Sequence, residues 1–191
     1  MKKKQIGIFS GSFNPIHIGH VILGSYMYEF TDLDEVWFVV TPHNPLKDVG
    51  KLTDDYIRLK MVRMALTGYD KLKASDVEFH LSRPSFTIDT LRFLQKKHPD
   101  AEFSLIIGGD NWNDFNKWKS YDQLRQEFRI LVYPRLGKEI LMYQENVQIV
   151  HAPIIEISST FIRDNIKAGK DMRAFLPEKV WELVVENELY L

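Results

Sequence analysis

The chain has 191 residues, 45% of them hydrophobic, with 25 Lys+Arg against 26 Asp+Glu and a formal net charge of -1. This composition fits one globular domain and excludes a disordered chain, and the charge balance gives no reason to propose nucleic acid or an anionic membrane as partner. With no cysteine, disulfides, a thiolate nucleophile and Cys-based zinc sites are excluded as well. The basic start Lys2-Lys3-Lys4 precedes an apolar run of only Ile6–Phe9, too short for an export signal, and nothing approaches the ~20 apolar residues of a membrane span. The sequence predicts a cytoplasmic protein with a single domain over 1–191, of which 159–191 is the C-terminal helical part.

In chain order, Gln5–Phe9 is a short run of strand type, and His17–Phe30 follows with helical spacing. Glu35–Val40 is almost wholly apolar, as suits a parallel strand buried on both faces. Asp54–Leu66 puts Ile57, Met61, Met64 and Ala65 on one helical face, with two aspartates favouring its N-terminal dipole. Val77–Phe79 reads as a further strand, and Thr87–Lys97 as a helix stopped by His98-Pro99. Phe103–Ile107, cut by Gly108-Gly109-Asp110, then Arg129–Tyr133, cut by Pro134, and Val147–Val150 complete the predicted strands. The tail from Ser159 reads as two helices, the second with Pro177 near its first turn. Strands alternating with helices predict an α/β fold with an open, mostly parallel sheet, helices on both faces and a C-terminal helical segment. Ligands of such sheets bind beyond the carboxyl ends of the strands, where strand order reverses.

Two loops carry chemistry. The first is Ser10-Gly11-Ser12-Phe13-Asn14-Pro15-Ile16-His17-Ile18-Gly19-His20, placed after the first strand and opening the first helix. Its glycine permits close backbone approach, the helix start presents unpaired N–H groups, and His17 and His20 share a helical face, all of which suit phosphate. The second is Ile157-Ser158-Ser159-Thr160-Phe161-Ile162-Arg163, where Ser158 or Ser159 caps a helix and Arg163 lies one turn inside. Taken singly, the first is an ordinary turn with a histidine pair and the second an ordinary capped helix. Their pairing is what points to a nucleotide. There is no Walker A lysine motif, no Gly-x-Gly-x-x-Gly and no His-Glu-x-x-His zinc pattern.

The pairing of these loops resembles the nucleotidyltransferase superfamily. Within it the chain is similar to the bacterial nicotinate-nucleotide adenylyltransferases over nearly its whole length. Further landmarks are Thr41-Pro42-His43-Asn44-Pro45-Leu46-Lys47, Pro84-Ser85-Phe86-Thr87-Ile88-Asp89-Thr90-Leu91, Gly108-Gly109-Asp110 with Trp118, and Pro134-Arg135. The resemblance implies a Rossmann-like fold and the transfer of AMP from ATP to nicotinate mononucleotide, with Mg²⁺ riding on the ATP phosphates and no metal held by the protein. It implies catalytic roles for His17, His20, Ser159 and Arg163. ATP would also meet Gly11, Ser12, Phe13, Gly108, Asp110, Ile157 and Ser158. Lys47, Thr87, Trp118 and Arg135 would hold nicotinate mononucleotide: the lysine and arginine at its phosphate, the Thr87 region at the pyridine carboxylate, and Trp118 stacked on the ring. Trp112, Phe115 and Tyr121 are alternatives for that stack.

The chain departs from the family pattern at Ser10, where many relatives have glycine, and at Asn14, where many have aspartate. Leu46 stands where a histidine is usual. The nearest rival is pantetheine-phosphate adenylyltransferase, which shares both loops but takes a flexible thiol arm, whereas the tryptophan-rich stretch 110–121 suits an aromatic acceptor. His-Ile-Gly-His also resembles class I aminoacyl-tRNA synthetases, whose Lys-Met-Ser-Lys-Ser signature is missing. A nonenzymatic nucleotide sensor is the third reading. The expected partners are small molecules, with a homo-oligomer, the acid-or-amide preference and closure of 42–53 on substrate left open.

Overall fold

The computed structural model describes residues 2–42, 52–137 and 145–191. The central sheet is formed by β1 (Lys4–Gly11), β2 (Glu35–Val40), β3 (Leu72–Ser75), β4 (Ala101–Gly108), β5 (Arg129–Tyr133) and β6 (Val147–Ile149). The strand order is β3-β2-β1-β4-β5-β6, and every pairing is parallel. The helices are α1 (Ile18–Phe30), α2 (Asp55–Ala65), α3 (Thr87–Lys97), α4 (Gly109–Asn113), α5 (Tyr121–Glu127), α6 (Ser159–Lys167) and α7 (Glu178–Glu186). From β1 the chain builds outward to β3 on one side, then returns beside β1 as β4 and builds outward to β6. The order therefore reverses between β1 and β4.

The apolar runs are continuous because alternate residues enter opposite cores. Phe9, Val36, Phe38, Val40, Ile106 and Leu131 face one core, closed by α1, α2, α6 and α7. Ile6, Ile8, Val39, Leu105, Ile107 and Val132 face the other, closed by α3, α5 and the Trp112-Phe115 turn. Burial on both faces is what makes a parallel strand read as unbroken apolar sequence. On the first face Gly24 lets α1 lie directly on β2: a Cβ there would stand 2.5 Å from the Phe38 ring. α7 packs on α2, so the C-terminal helices lie against the same layer. Among the described residues no helix is long and apolar enough to cross a membrane.

One predicted strand is corrected. Val77–Phe79 lies in a 3-10 turn, Val77–His80, closed by the Phe79 N–H on the Asp76 carbonyl at 2.8 Å. The strand is Leu72–Ser75, paired with Val36–Val39. It is a short edge strand with only Leu72 fully buried, so no apolar run marks it. α4 and α5 are likewise too short to show a period.

Candidate active site

The carboxyl ends of β1 and β4 open onto a cavity of about 420 Å³. From the first loop it is lined by Ser10, Gly11, Ser12, Phe13, Asn14, His17 and His20, and from the last by Ile157, Ser158, Ser159, Thr160 and Arg163. Gly108, Thr87, Trp118 and Arg135 contribute as well. The site thus sits where strand order reverses, as expected for this class of sheet. Asp110 is not among the lining residues; its carboxylate lies 3.9 Å from the guanidinium of Arg135, which is. Lys47, with the rest of 43–51, lies outside the described residues.

The first loop is folded back on itself. Phe13 takes a left-handed φ of 45°, uncommon for a bulky residue, and its buried ring packs edge-on against Phe9 and His20. His17 is the N-cap of α1, and its N–H donates to His20 Nδ1 at 3.3 Å. That bond assigns the proton of neutral His20 to Nε2, making Nε2–H a donor. The two imidazoles stack with centroids 3.7 Å apart. The helix start predicts a polar, accessible pair, but His17 is only 4% exposed. Burial, reinforced by the Arg135 charge, lowers its pKa from 6.5 to about 3, so it is neutral at pH 7.

The last loop is lashed to the first. Ser158 caps α6, its hydroxyl accepting from the Phe161 N–H at 3.1 Å. By helix geometry the Ser159 and Thr160 N–H groups have no partner within the helix, and both residues line the cavity. Ser159 Oγ donates to the Pro15 carbonyl at 2.9 Å, and Arg163 Nη1 to the Asn14 carbonyl at 2.7 Å. Asn14 Oδ1 in turn accepts from Tyr190 Oη at 3.0 Å and the Thr53 N–H at 3.3 Å. Burial pushes the Tyr190 phenol up to about 12, so this donor keeps its proton. The Asn14 amide thus serves as a splice point for three segments of chain.

Arg135 lies over the Tyr133 ring, 5.3 Å from its centre, and Nη2 donates to Tyr133 Oη at 3.3 Å. A second cavity, of about 220 Å³, adjoins the first and shares Ser10, Gly11, Thr87, Asn111 and Trp118 with it. Among the described residues, the buried side-chain polar atoms without a hydrogen-bond partner are Ser10 Oγ, Ser12 Oγ, His17 Nδ1, Trp118 Nε1 and Arg135 Nε. Every one of these residues lines the first cavity. An unpaired buried polar group costs roughly 1–3 kcal/mol, so this concentration marks a surface built for a polar ligand. The donors offered are N–H, O–H and guanidinium groups, which suit phosphate oxygens. Among the described residues no group of three or more His, Asp or Glu gathers to ligate a metal.

A cytidylyltransferase-like family model matches residues 8–165. A protein of Flavobacterium psychrophilum named "Probable nicotinate-nucleotide adenylyltransferase" is 50% identical over 190 residues, spanning 97% of this chain and 98% of that relative. One of the same name in Bacteroides fragilis is 50% identical over 98% of this chain and 94% of its own length. The chain belongs to the nicotinate-nucleotide adenylyltransferase family. A solved structure of Plasmodium falciparum nicotinic acid mononucleotide adenylyltransferase, complexed with NaAD, shares the fold of this family member with a TM-score of 0.83. At 21% identity it covers 98% of this chain and 97% of its own.

Sequence reasoning missed several residues of the site. Ser10 heads the first loop and is given no role of its own, yet its hydroxyl is buried at the seam of the two cavities. Arg58, 0% exposed, donates to the carbonyls of Ser12, Thr41, Pro42 and Thr53 and pairs with Asp55. It braces the first loop against the chain on either side of 43–51. A lone arginine inside an amphipathic helix gives no local signal of such a role. The motif residues carry one, because both loops are contiguous in sequence.

Proposed function

We propose that this protein transfers AMP from ATP to nicotinate mononucleotide. The acceptor 5′-phosphate attacks the α-phosphorus of ATP in line. A phosphorus–oxygen bond forms, the bond to the bridging oxygen of the β-phosphate breaks, and pyrophosphate leaves with that electron pair, giving the deamido dinucleotide. The nucleophile is already an anion and needs no general base at neutral pH. The protein's part is to place two anions together and neutralise charge that grows in the transition state. The convergence of unpaired buried polar atoms on a cavity at the strand reversal carries this reading.

His20 Nε2–H and the α6 N-terminal N–H groups donate to the triphosphate, with Arg163 supplying positive charge beside the loop it holds. His17, neutral in the empty site, gains a proton partner when the phosphates enter. Gly11, Ser12 and Phe13 border the ATP, Ile157 and Ser158 follow its adenine and phosphates, and Gly108 with Asp110 meets its ribose. Ser159 acts by tying α6 to Pro15. Trp118 stacks on the pyridine ring, the Thr87 backbone meets its carboxylate, and Arg135 with Lys47 holds the mononucleotide phosphate. Mg²⁺ enters on the ATP phosphates, since the donors lining the cavity suit anions. We place the reaction in the cytoplasm.

The test is pyrophosphate release from ATP and Mg²⁺ with nicotinate mononucleotide, nicotinamide mononucleotide and phosphopantetheine as parallel acceptors. Selective release with nicotinate mononucleotide is expected. Release with phosphopantetheine alone, or with no acceptor, would overturn the reading.

A further inference from the structure

The 3-10 turn after β3 places Glu78 where a carboxylate is costly: it is 3% exposed, and among the described residues its hydrogen-bond partners are hydroxyls rather than cations. Oε2 accepts from Ser85 Oγ at 2.9 Å and Oε1 from Thr90 Oγ1 at 3.1 Å. Burial raises its pKa against the hydroxyl groups beside it, and Thr41 borders the second cavity. Ser85 and Thr90 bracket the first turn of α3, whose N-cap, Phe86, offers no side-chain cap. Thr41 follows β2, and its N–H donates to the Gly11 carbonyl at 2.9 Å. One buried carboxyl therefore ties both sides of the α3 start together beside Thr41, whose backbone joins the end of β2 to the loop assigned to ATP. Glu78 also lines the second cavity, together with Thr87 and Trp118.

We infer that Glu78 is a positioning residue for the acceptor nucleotide. By fixing both flanks of the α3 start, it holds the Thr87 backbone at a set distance from the Gly11 loop, and so holds the pyridine end of the acceptor in register with the ATP phosphates. A carboxylate accepts from two hydroxyls at once, one on each oxygen. An amide has one accepting oxygen and a donating NH₂, so one hydroxyl must turn round and the clamp loosens. This inference rests on the adenylyl-transfer reading above.

The experiment is steady-state pyrophosphate release by wild type, Glu78→Gln and Ser85→Ala, each titrated separately with nicotinate mononucleotide and with ATP. Glu78→Gln is expected to raise KM for the mononucleotide roughly tenfold and leave KM for ATP within about twofold. Ser85→Ala removes one donor to the carboxyl without touching it, and should give the same split in smaller measure. In the double variant the effects should be less than additive, because both remove one linkage. A loss of thermal stability with both KM values unchanged, or a parallel rise in both, would make Glu78 merely structural and overturn the inference. Failure of the wild type to use nicotinate mononucleotide would instead overturn the adenylyl-transfer reading, and the inference with it.

Discussion

The buried histidine makes a quantitative claim about stability. His17 has a folded-state pKa of about 3 against 6.5 for the ordinary side chain, so the unfolded chain binds the proton first as pH falls. Its neutral form is favoured by the fold: the contribution is complete above about pH 6.5 and is lost as pH falls from there towards about 3. The loss approaches about 1.4 kcal/mol per pH unit, which integrates to about 2 kcal/mol at about pH 5. Urea unfolding of wild type and His17→Gln at about pH 7 and about pH 5 isolates this share, because the other titrating groups are common to both proteins. Wild type should lose about 2 kcal/mol more than the variant between those two conditions. Pyrophosphate should shrink the difference, since an anion against the imidazole raises its folded pKa. Equal losses in the two proteins would refute the argument.

His20→Ala removes the Nε2–H donor; kcat should fall roughly 10²–10³-fold while calorimetry still detects ATP binding, and a near-normal kcat would refute the assignment. Arg163→Ala deletes a charge-assisted bond to the Asn14 carbonyl together with a cation. It should cut kcat/KM for ATP by about 10²-fold in the pyrophosphate assay, and Arg163→Lys should restore little of it because an ammonium lacks the planar fork. Arg58→Met leaves the carbonyls of Ser12, Thr41, Pro42 and Thr53 without their donor and Asp55 without this partner. Thermal unfolding should register a loss of about 3–5 kcal/mol, roughly 10 °C in Tm, and an unchanged Tm would show that the guanidinium braces nothing.

The strands legible in the sequence are those buried on both sides. Glu35–Val40 and Phe103–Ile107 announce themselves because two cores claim alternate residues of the same run. The edge strand Leu72–Ser75 is silent because its stability comes from pairing with β2 and a single buried leucine. On α2 the spacing selects Ile57, Met61, Met64 and Ala65, and all four pack on the core, Ile57 and Met64 partly buried; the spacing does not reveal that Arg58, Leu59 and Val62 are buried as well. The delivery of Arg58 to four carbonyls is something no local period encodes. The two phosphate loops were legible because each is continuous in sequence, and the structure brings them to one cavity. Glu78 was not, since a lone carboxylate between Val77 and Phe79 reads as the polar position of a strand. Only residues 7 and 12 places further on show what it holds.

Three of the bonds that brace the Asn14-Pro15 corner come from Ser159, Arg163 and Tyr190, separated from it by 144, 149 and 176 residues. Ribosomes add residues at about 5–20 per second, so this corner waits many seconds after its own synthesis for these three groups. Contacts this distant in sequence carry the largest loop-closure entropy and are made late in folding. A nascent chain released before α6 emerges would hold most of the sheet, yet its histidine loop would lack these braces. The first loop to be made therefore receives three of its braces only after α6 and the segment following α7 have been made.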